Sequence, residues 1–171
     1  MIFVTVGVER FPFDRLIRAV DSIAEELEGK EPLFVQFGTS QYLPRHGVIS
    51  PFLSYEETTK KIRDARIIIA HAGAGSILSC LQAGKIPLVM PRRKSLGEHI
   101  DDHQVEFAKR MAELGLIHRA DSPEELVSFV LAHRDKTPPP PKISRREPRL
   151  ADALSHYLRS VKRKSVLDRA A

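Results

Sequence analysis

Short apolar runs alternate along this chain with longer stretches in which apolar residues recur every three or four positions. The runs are typical of strands buried on both faces, and the stretches are typical of amphipathic helices. The first run, residues 2–6, precedes a helical pattern with apolar positions at 13, 16, 17, 20, 24 and 27. Because the two signals keep alternating to about residue 133, the pattern predicts an α/β fold, a parallel sheet with helices on both faces.

Capping residues sharpen several of these boundaries. Ser54 and Glu57 have the spacing of a capping box, and Ser122 followed by Pro123 is typical of a helix start. Further strands are predicted at residues 33–37, 48–49, 67–70, 87–90 and 116–118, and further helices at 54–64, 77–83, 101–114 and 122–133.

Between one predicted strand and its helix lies a loop of small residues, HAGAGS at positions 71–76. Backbone N–H groups at a helix N-terminus favour a phosphate, but tight glycine turns also serve packing alone, and the loop is not G-x-G-x-x-G. Gly7 and Gly38 follow two other strands. Since ligands of open parallel sheets bind at the carboxyl ends of strands, this agreement favours a phosphate or nucleotide site.

Length and composition fit one cytoplasmic domain. The 171 residues contain no apolar run of about 18 residues, and residues 2–6 lack the basic segment that precedes the core of a signal peptide. A lone cysteine, Cys80, excludes an internal disulfide and is expected to be a small buried apolar residue.

Basic charge is concentrated at the end of the chain. Residues 142–171 hold nine Lys or Arg against three Asp or Glu, a net charge of +6, whereas residues 1–141 carry about −1. The chain lacks nucleic-acid-binding signatures, so no nucleic-acid partner is predicted. A solvated helix face and contact with an anionic membrane surface both remain open.

The same region divides into a spacer and a helix. After a predicted domain at 1–137, the prolines at 138–141 predict a stiff spacer, 138–142. A basic amphipathic helix is predicted within 143–171, with apolar residues at 150, 154, 157, 158 and 161. This helix would either fold back on its own domain or dock on a partner.

Four segments, in this order and spacing, resemble the C-terminal domain of the family 28 glycosyltransferases. They are FVTVG at 3–7, QFG at 36–38, HAGAGSIL at 71–78 and DHQ at 102–104. The chain is similar to the small donor-binding subunits of two-part UDP-sugar transferases that make lipid-linked oligosaccharides, exopolysaccharides and capsules. The resemblance covers about residues 1–133, and the segment 91–104 looks more like the microbial relatives.

This resemblance implies a Rossmann-like domain that is one half of an inverting glycosyltransferase. Such a domain binds the UDP-sugar, and a separate membrane-associated subunit binds the lipid-linked acceptor. The protein would then be cytoplasmic and held at the membrane face by its partner, and would use no metal or other cofactor. A homo-oligomer of the isolated chain remains open, as does a non-enzymatic module that binds a nucleotide-sugar and regulates a partner. Related epimerases and hydrolases carry both domains in one chain, and 171 residues are too few for that.

The resemblance also implies roles for individual residues. The diphosphate would bind at Gly73, Ala74, Gly75 and Ser76, with Gly7 facing the same cleft, and the sugar would contact Gln104 with Asp102, His103, Glu98 and His99 nearby. Ser79 stands where many relatives have an acid that binds the ribose, so it would make a weaker contact there.

Other roles stay open at this point. His71 would either contact donor or acceptor or fix the loop, and the general base is unassigned, with His71 and Glu98 as candidates. A metal site formed by His99 and His103 with a nearby acid is a minor alternative. The Arg-Arg-Lys run at 92–94 would either supply positive charge to the site or form a solvated loop.

Overall fold

The computed structural model of the protein describes residues 1–141, which form alternating strands and helices. The strands are β1 (Ile2–Thr5), β2 (Leu33–Gln36), β3 (Val48–Ser50), β4 (Ile67–His71), β5 (Leu88–Met90) and β6 (His118–Arg119). The helices are α1 (Asp14–Glu26), α2 (Tyr55–Asp64), α3 (Ala74–Gln82), α4 (His103–Glu113) and α5 (Pro123–Ala132), and a 3₁₀ turn spans Lys94–Leu96.

All six strands pair in parallel, in the order β3-β2-β1-β4-β5-β6. The chain steps outward from β1 to β3, then returns to the other side of β1 and steps outward again. Thr5 of β1 lies between Gln36 of β2 and Ala70 of β4. The order therefore reverses between β1 and β4, which is where open sheets of this type form a ligand crevice. The predicted α/β fold is confirmed.

Helices cover both faces of the sheet. One face packs against α1 and α5 in the largest apolar cluster, which receives Ile2 and Val4 from β1. Phe3 points to the other face, into a cluster with Ile62 of α2 and Cys80 of α3. A third cluster joins α3 and α4. Burial raises the pKa of Cys80 to about 12, so this residue is an apolar core residue, as predicted.

Local signals account for the starts of α2 and α5. Ser54 and Glu57 form the predicted capping box at α2, and the Ser122 hydroxyl accepts from the backbone N–H of Glu125 at α5. Most predicted boundaries are right to within three residues; the last strand, predicted at 116–118, forms at His118–Arg119 because its backbone pairs with β5 there.

The first prolines of the predicted spacer lie against the domain at the end where the strands begin. Pro138 and Pro140 line a cavity of about 250 Å³ with Arg66 at the edge of the sheet where the strands begin. The Arg66 guanidinium also donates to the carbonyls of His133 (2.6 Å) and Lys136 (2.5 Å), which anchors this segment. The predicted tail helix, 143–171, lies outside the described residues. Within 1–141, no helix has both the length and the apolarity that a membrane span requires.

Candidate functional site

A cleft of about 450 Å³ opens at the carboxyl ends of β1 and β4, at the point where the strand order reverses. It brings together most of the residues predicted from the glycine-rich loops. Those that line it are Gly7, His71, Gly73, Gly75, Ser76 and Ser79.

The N-terminus of α3 forms one wall of this cleft. Gly73 is the N-cap and offers no side-chain cap, so the N–H groups of the first turn have no acceptor within the helix. A Cβ atom on Gly75 would meet no other atom within 4 Å, which shows that this turn is open. The arrangement offers several N–H donors and the positive end of a helix dipole to an anion.

His71 lies between two glycine turns. A Cβ atom on Gly7 would come within 2.5 Å of the His71 ring, and Gly7 also has a φ of +77°, which favours glycine. A Cβ atom on Gly73 would overlap with Nε2 of the same ring. The imidazole therefore sets the spacing of the two loops, and both glycines are required by its close approach.

The same ring is uncharged at neutral pH. Burial and the nearby charges of Arg92 and His99 lower the pKa of His71 to about 4, although the Thr5 carbonyl acts in the opposite direction. Its Nδ1 has no hydrogen-bond partner within residues 1–141. The ring thus fixes the two loops and also lines the cleft, and its contact with donor or acceptor stays a prediction.

Gln36 holds the loop that follows β1. Its Oε1 accepts from the Thr5 hydroxyl (2.6 Å) and from the Gly7 N–H (3.2 Å), while its Nε2 donates to the carbonyls of Gly7 (2.9 Å) and Pro51 (2.8 Å). No role for Gln36 was predicted. A polar residue at the end of an otherwise apolar strand is the sequence signal that would have pointed to it.

Within the basic run at 92–94, Lys94 is exposed, but neither interpretation holds for Arg92. Its side chain is fully buried, and its guanidinium donates to the carbonyls of Val6 (2.8 Å), Phe11 (2.8 Å) and Glu98 (3.2 Å). Burial lowers the pKa of Arg92 to about 10, so the group stays charged at neutral pH. Arg92 therefore neither faces solvent nor offers a free charge to a ligand; it ties the loop after β5 to the loop after β1.

Glu98 is held by protein groups. Its two oxygens accept from the Arg15 guanidinium at 2.8 and 2.9 Å, and one of them also accepts from the Arg93 N–H at 2.9 Å. These contacts tie the loop after β5 to α1. They account for the buried carboxylate without a ligand, so the role of Glu98 as a base remains a prediction that the geometry does not favour.

Gln104 also forms hydrogen bonds within the protein. Its Oε1 accepts from the N–H groups of Ala72 (3.2 Å) and Arg92 (3.3 Å), which joins the loops after β4 and β5. Within residues 1–141, its amide NH₂ is the part left for a sugar hydroxyl. Two other predicted residues lie outside the cleft lining: Ala74 packs toward the α3–α4 cluster, and a Cβ atom on Gly38 would be 2.8 Å from Val6.

Histidines and acids cluster between β5 and α4. The Asp101 carboxylate lies 2.9 Å from Nδ1 of His99 and 2.7 Å from Nδ1 of His103. Asp102 instead accepts from the Lys94 N–H at 2.9 Å. Within the described part of the chain, no group of three or more such side chains has a geometry that could hold a metal ion.

The site therefore has two parts. The loops after β1 and β4 form the cleft, and the predicted residues of the β5–α4 segment lie at the same edge of the sheet, connected through Arg92 and Gln104. The segment before and within α2 adds Leu53, Tyr55 and Thr58 to the lining. These three carry no motif, and only the folded chain places them there.

Comparisons with known proteins agree with this geometry. The model of the "Glycosyltransferase family 28 C-terminal domain" matches residues 1–155. The human "UDP-N-acetylglucosamine transferase subunit ALG13" is 36% identical over 123 residues, covering 67% of this chain and 10% of the human protein. The Yarrowia lipolytica protein of the same name is 31% identical over 122 residues, covering 65% of this chain and 60% of that relative.

A solved structure supports the fold. The glycotransferase of kitacinnamycin superposes with a TM-score of 0.58 at 18% identity, over 94% of this chain and 38% of that chain. The present chain thus spans less than two thirds of these relatives. The family model, in contrast, matches nearly its whole length, and this chain belongs to the glycosyltransferase family 28 C-terminal domain family.

Proposed function

We propose that the chain is the donor-binding subunit of a two-part inverting glycosyltransferase and that it takes a UDP-sugar. The observation that carries the proposal is the open N-terminus of α3 beside His71, at the point where the strand order reverses. This combination suits a diphosphate, because N–H donors face the cleft and no carboxylate is among the described residues that line it. Family membership and the names of the relatives support a nucleotide-sugar donor.

The reaction would form a bond from an acceptor hydroxyl oxygen to the anomeric carbon and break the bond from that carbon to the diphosphate. The departing UDP gains negative charge, which the N–H groups at α3 would stabilise. The hydroxyl proton must pass to a general base. His71 is buried between two glycine turns, and Glu98 is bound to Arg15, so we assign the base to a second subunit.

This second subunit would be membrane-associated and would bind the lipid-linked acceptor. The relatives are named as subunits of a transferase, which supports a second protein as the acceptor-binding half. We place the heterodimer at the cytoplasmic membrane face, in exopolysaccharide or lipid-linked oligosaccharide synthesis, and propose that it needs no metal or other cofactor.

Calorimetry with UDP and UDP-GlcNAc tests the phosphate site. Gly75→Val introduces a branched side chain where the backbone has open space, so the variant should fold and block the α3 N-terminus. We expect UDP affinity to fall about tenfold or more, the equivalent of one charge-assisted hydrogen bond. The control is Ser22→Val, which adds a similar side chain to an exposed position of α1. Unchanged UDP affinity in folded Gly75→Val would exclude this site.

A further inference from the structure

Asp101, which was not among the predicted site residues, bridges two imidazole rings. Its Oδ1 lies 2.9 Å from Nδ1 of His99, and its Oδ2 lies 2.7 Å from Nδ1 of His103. Oδ1 also accepts from the His103 N–H at 3.1 Å, at the start of α4. Both oxygens of one carboxylate thus hold two histidines of the β5–α4 segment.

The bridging carboxylate determines where each ring carries its hydrogen. A carboxylate only accepts, so both Nδ1 atoms must donate to it. The Asp101 N–H lies 3.4 Å from Nδ1 of His99, but that atom already carries a hydrogen, and the 2.9 Å contact with the carboxylate is the hydrogen bond. Burial disfavours the charged carboxylate, but hydrogen bonds from the His103 N–H and the His99 ring outweigh it and lower the pKa of Asp101.

With the hydrogen on Nδ1 alone, each ring presents Nε2 as a hydrogen-bond acceptor. Within residues 1–141, neither Nε2 has a hydrogen-bond partner, and the His99 and His103 side chains are 16% and 32% exposed. The His99 ring lies 6.2 Å from the Phe11 ring in the loop after β1. His103 directly precedes Gln104, which contacts the loop after β4. The two acceptors therefore lie at the same edge of the sheet as the cleft.

We propose that Asp101 is a positioning residue for the sugar of the donor. It holds His99 and His103 in the tautomer with hydrogen on Nδ1, and their Nε2 atoms accept hydrogen bonds from sugar hydroxyls. Hydroxyl groups are suitable ligands because they donate to an unprotonated ring nitrogen that is held in a fixed position. This inference rests on the proposed function, since it adds sugar recognition to the same donor site.

Asp101→Asn tests the inference with little disturbance of the fold. The asparagine keeps one oxygen that can accept from the His103 N–H, but its NH₂ group cannot accept from a second imidazole. Nitrogen-15 NMR of the full chain should show both rings with hydrogen on Nδ1 in the native protein and at least one ring changed in the variant. Asp135→Asn is the control, with the same change of charge at an exposed site.

Calorimetry on the same proteins separates sugar from nucleotide. In Asp101→Asn we expect UDP-GlcNAc to bind about five- to tenfold more weakly and UDP to bind within twofold of the native protein, as for the loss of about one hydrogen bond. Unchanged UDP-GlcNAc affinity, an equal loss for UDP, or native rings without the Nδ1 hydrogen would each overturn the inference. Absence of UDP binding to the native protein would instead overturn the proposed function and the sugar role with it, whereas the NMR result would still decide the tautomer.

Discussion

The loop after β4 and the segment between β5 and α4 meet at the same edge of the sheet but are built in opposite ways. The first consists of glycines and other small residues, and its N–H groups at α3 have no partner within the helix. The second consists of long polar side chains that already bind protein groups, with Arg92 and Glu98 both buried. Free backbone donors suit a ligand, whereas paired side chains suit a rigid support for it.

This difference changes how a charged residue near the cleft is interpreted. Arg92 and Glu98 have the chemistry expected of a phosphate ligand and a base, but their partners are the carbonyls of the loop after β1 and the Arg15 guanidinium. Their contribution is to hold the loops in place. The ligand contacts are then left to the α3 N-terminus and to the atoms that remain unpaired.

Arg92→Met should have the largest effect. It removes the donor to four carbonyls in the loops after β1 and β5, and buried acceptors without partners are costly. We expect the free energy of unfolding to fall by about 3–5 kcal/mol in a urea titration. Lys94→Met, at an exposed neighbour, should change it by about 0.5 kcal/mol or less. If both variants lost similarly little free energy of unfolding, Arg92 would not be the rigid support that distinguishes the β5–α4 segment from the loop after β4.

The two regions also differ in how far the sequence predicts them. The fold followed from the apolar runs, and the cleft followed from glycines placed after strands, because a parallel sheet brings the ends of its strands together. The role of Arg92 could not be found this way. Its partner Phe11 is 81 positions away, and an Arg-Arg-Lys run has the same composition in a solvated loop. Asp101 was missed for a similar reason, since nothing in the sequence distinguishes it from Asp102.

His71 makes the stability of the folded protein depend on pH. The imidazole of an unfolded chain titrates near 6.5, and burial, with the charge of Arg92, lowers the pKa of His71 to about 4. Between these values the unfolded chain binds a proton that the folded protein does not, so stability falls as the pH falls. The difference between the two pKa values corresponds to a loss of about 3 kcal/mol by pH 4.

Urea titrations of the native protein and of His71→Ala measure this effect. Other groups titrate alike in both proteins, so the difference between their free energies of unfolding isolates the imidazole. That difference should shrink by about 3 kcal/mol between pH 7 and pH 4 and stay constant below. A difference that does not change with pH would show that the ring is not held neutral between the glycine turns.

The smallest effect is expected at Gln104, a single side chain that both supports the loops and offers a group to the ligand. Its oxygen supports the loops after β4 and β5, and its NH₂ group is free for a sugar hydroxyl. Gln104→Glu keeps an oxygen acceptor for both N–H groups and removes only the NH₂ donor, so the fold should be retained. The added carboxylate repels UDP more than UDP-GlcNAc, because the terminal phosphate of UDP carries an additional charge. Repulsion therefore raises the ratio of UDP-GlcNAc affinity to UDP affinity, and a fall in that ratio reports the lost sugar contact. We expect calorimetry to show that ratio falling by the equivalent of about 0.5–1.5 kcal/mol, a factor of about two to ten. An unchanged ratio would assign Gln104 wholly to the support, together with Arg92 and Glu98.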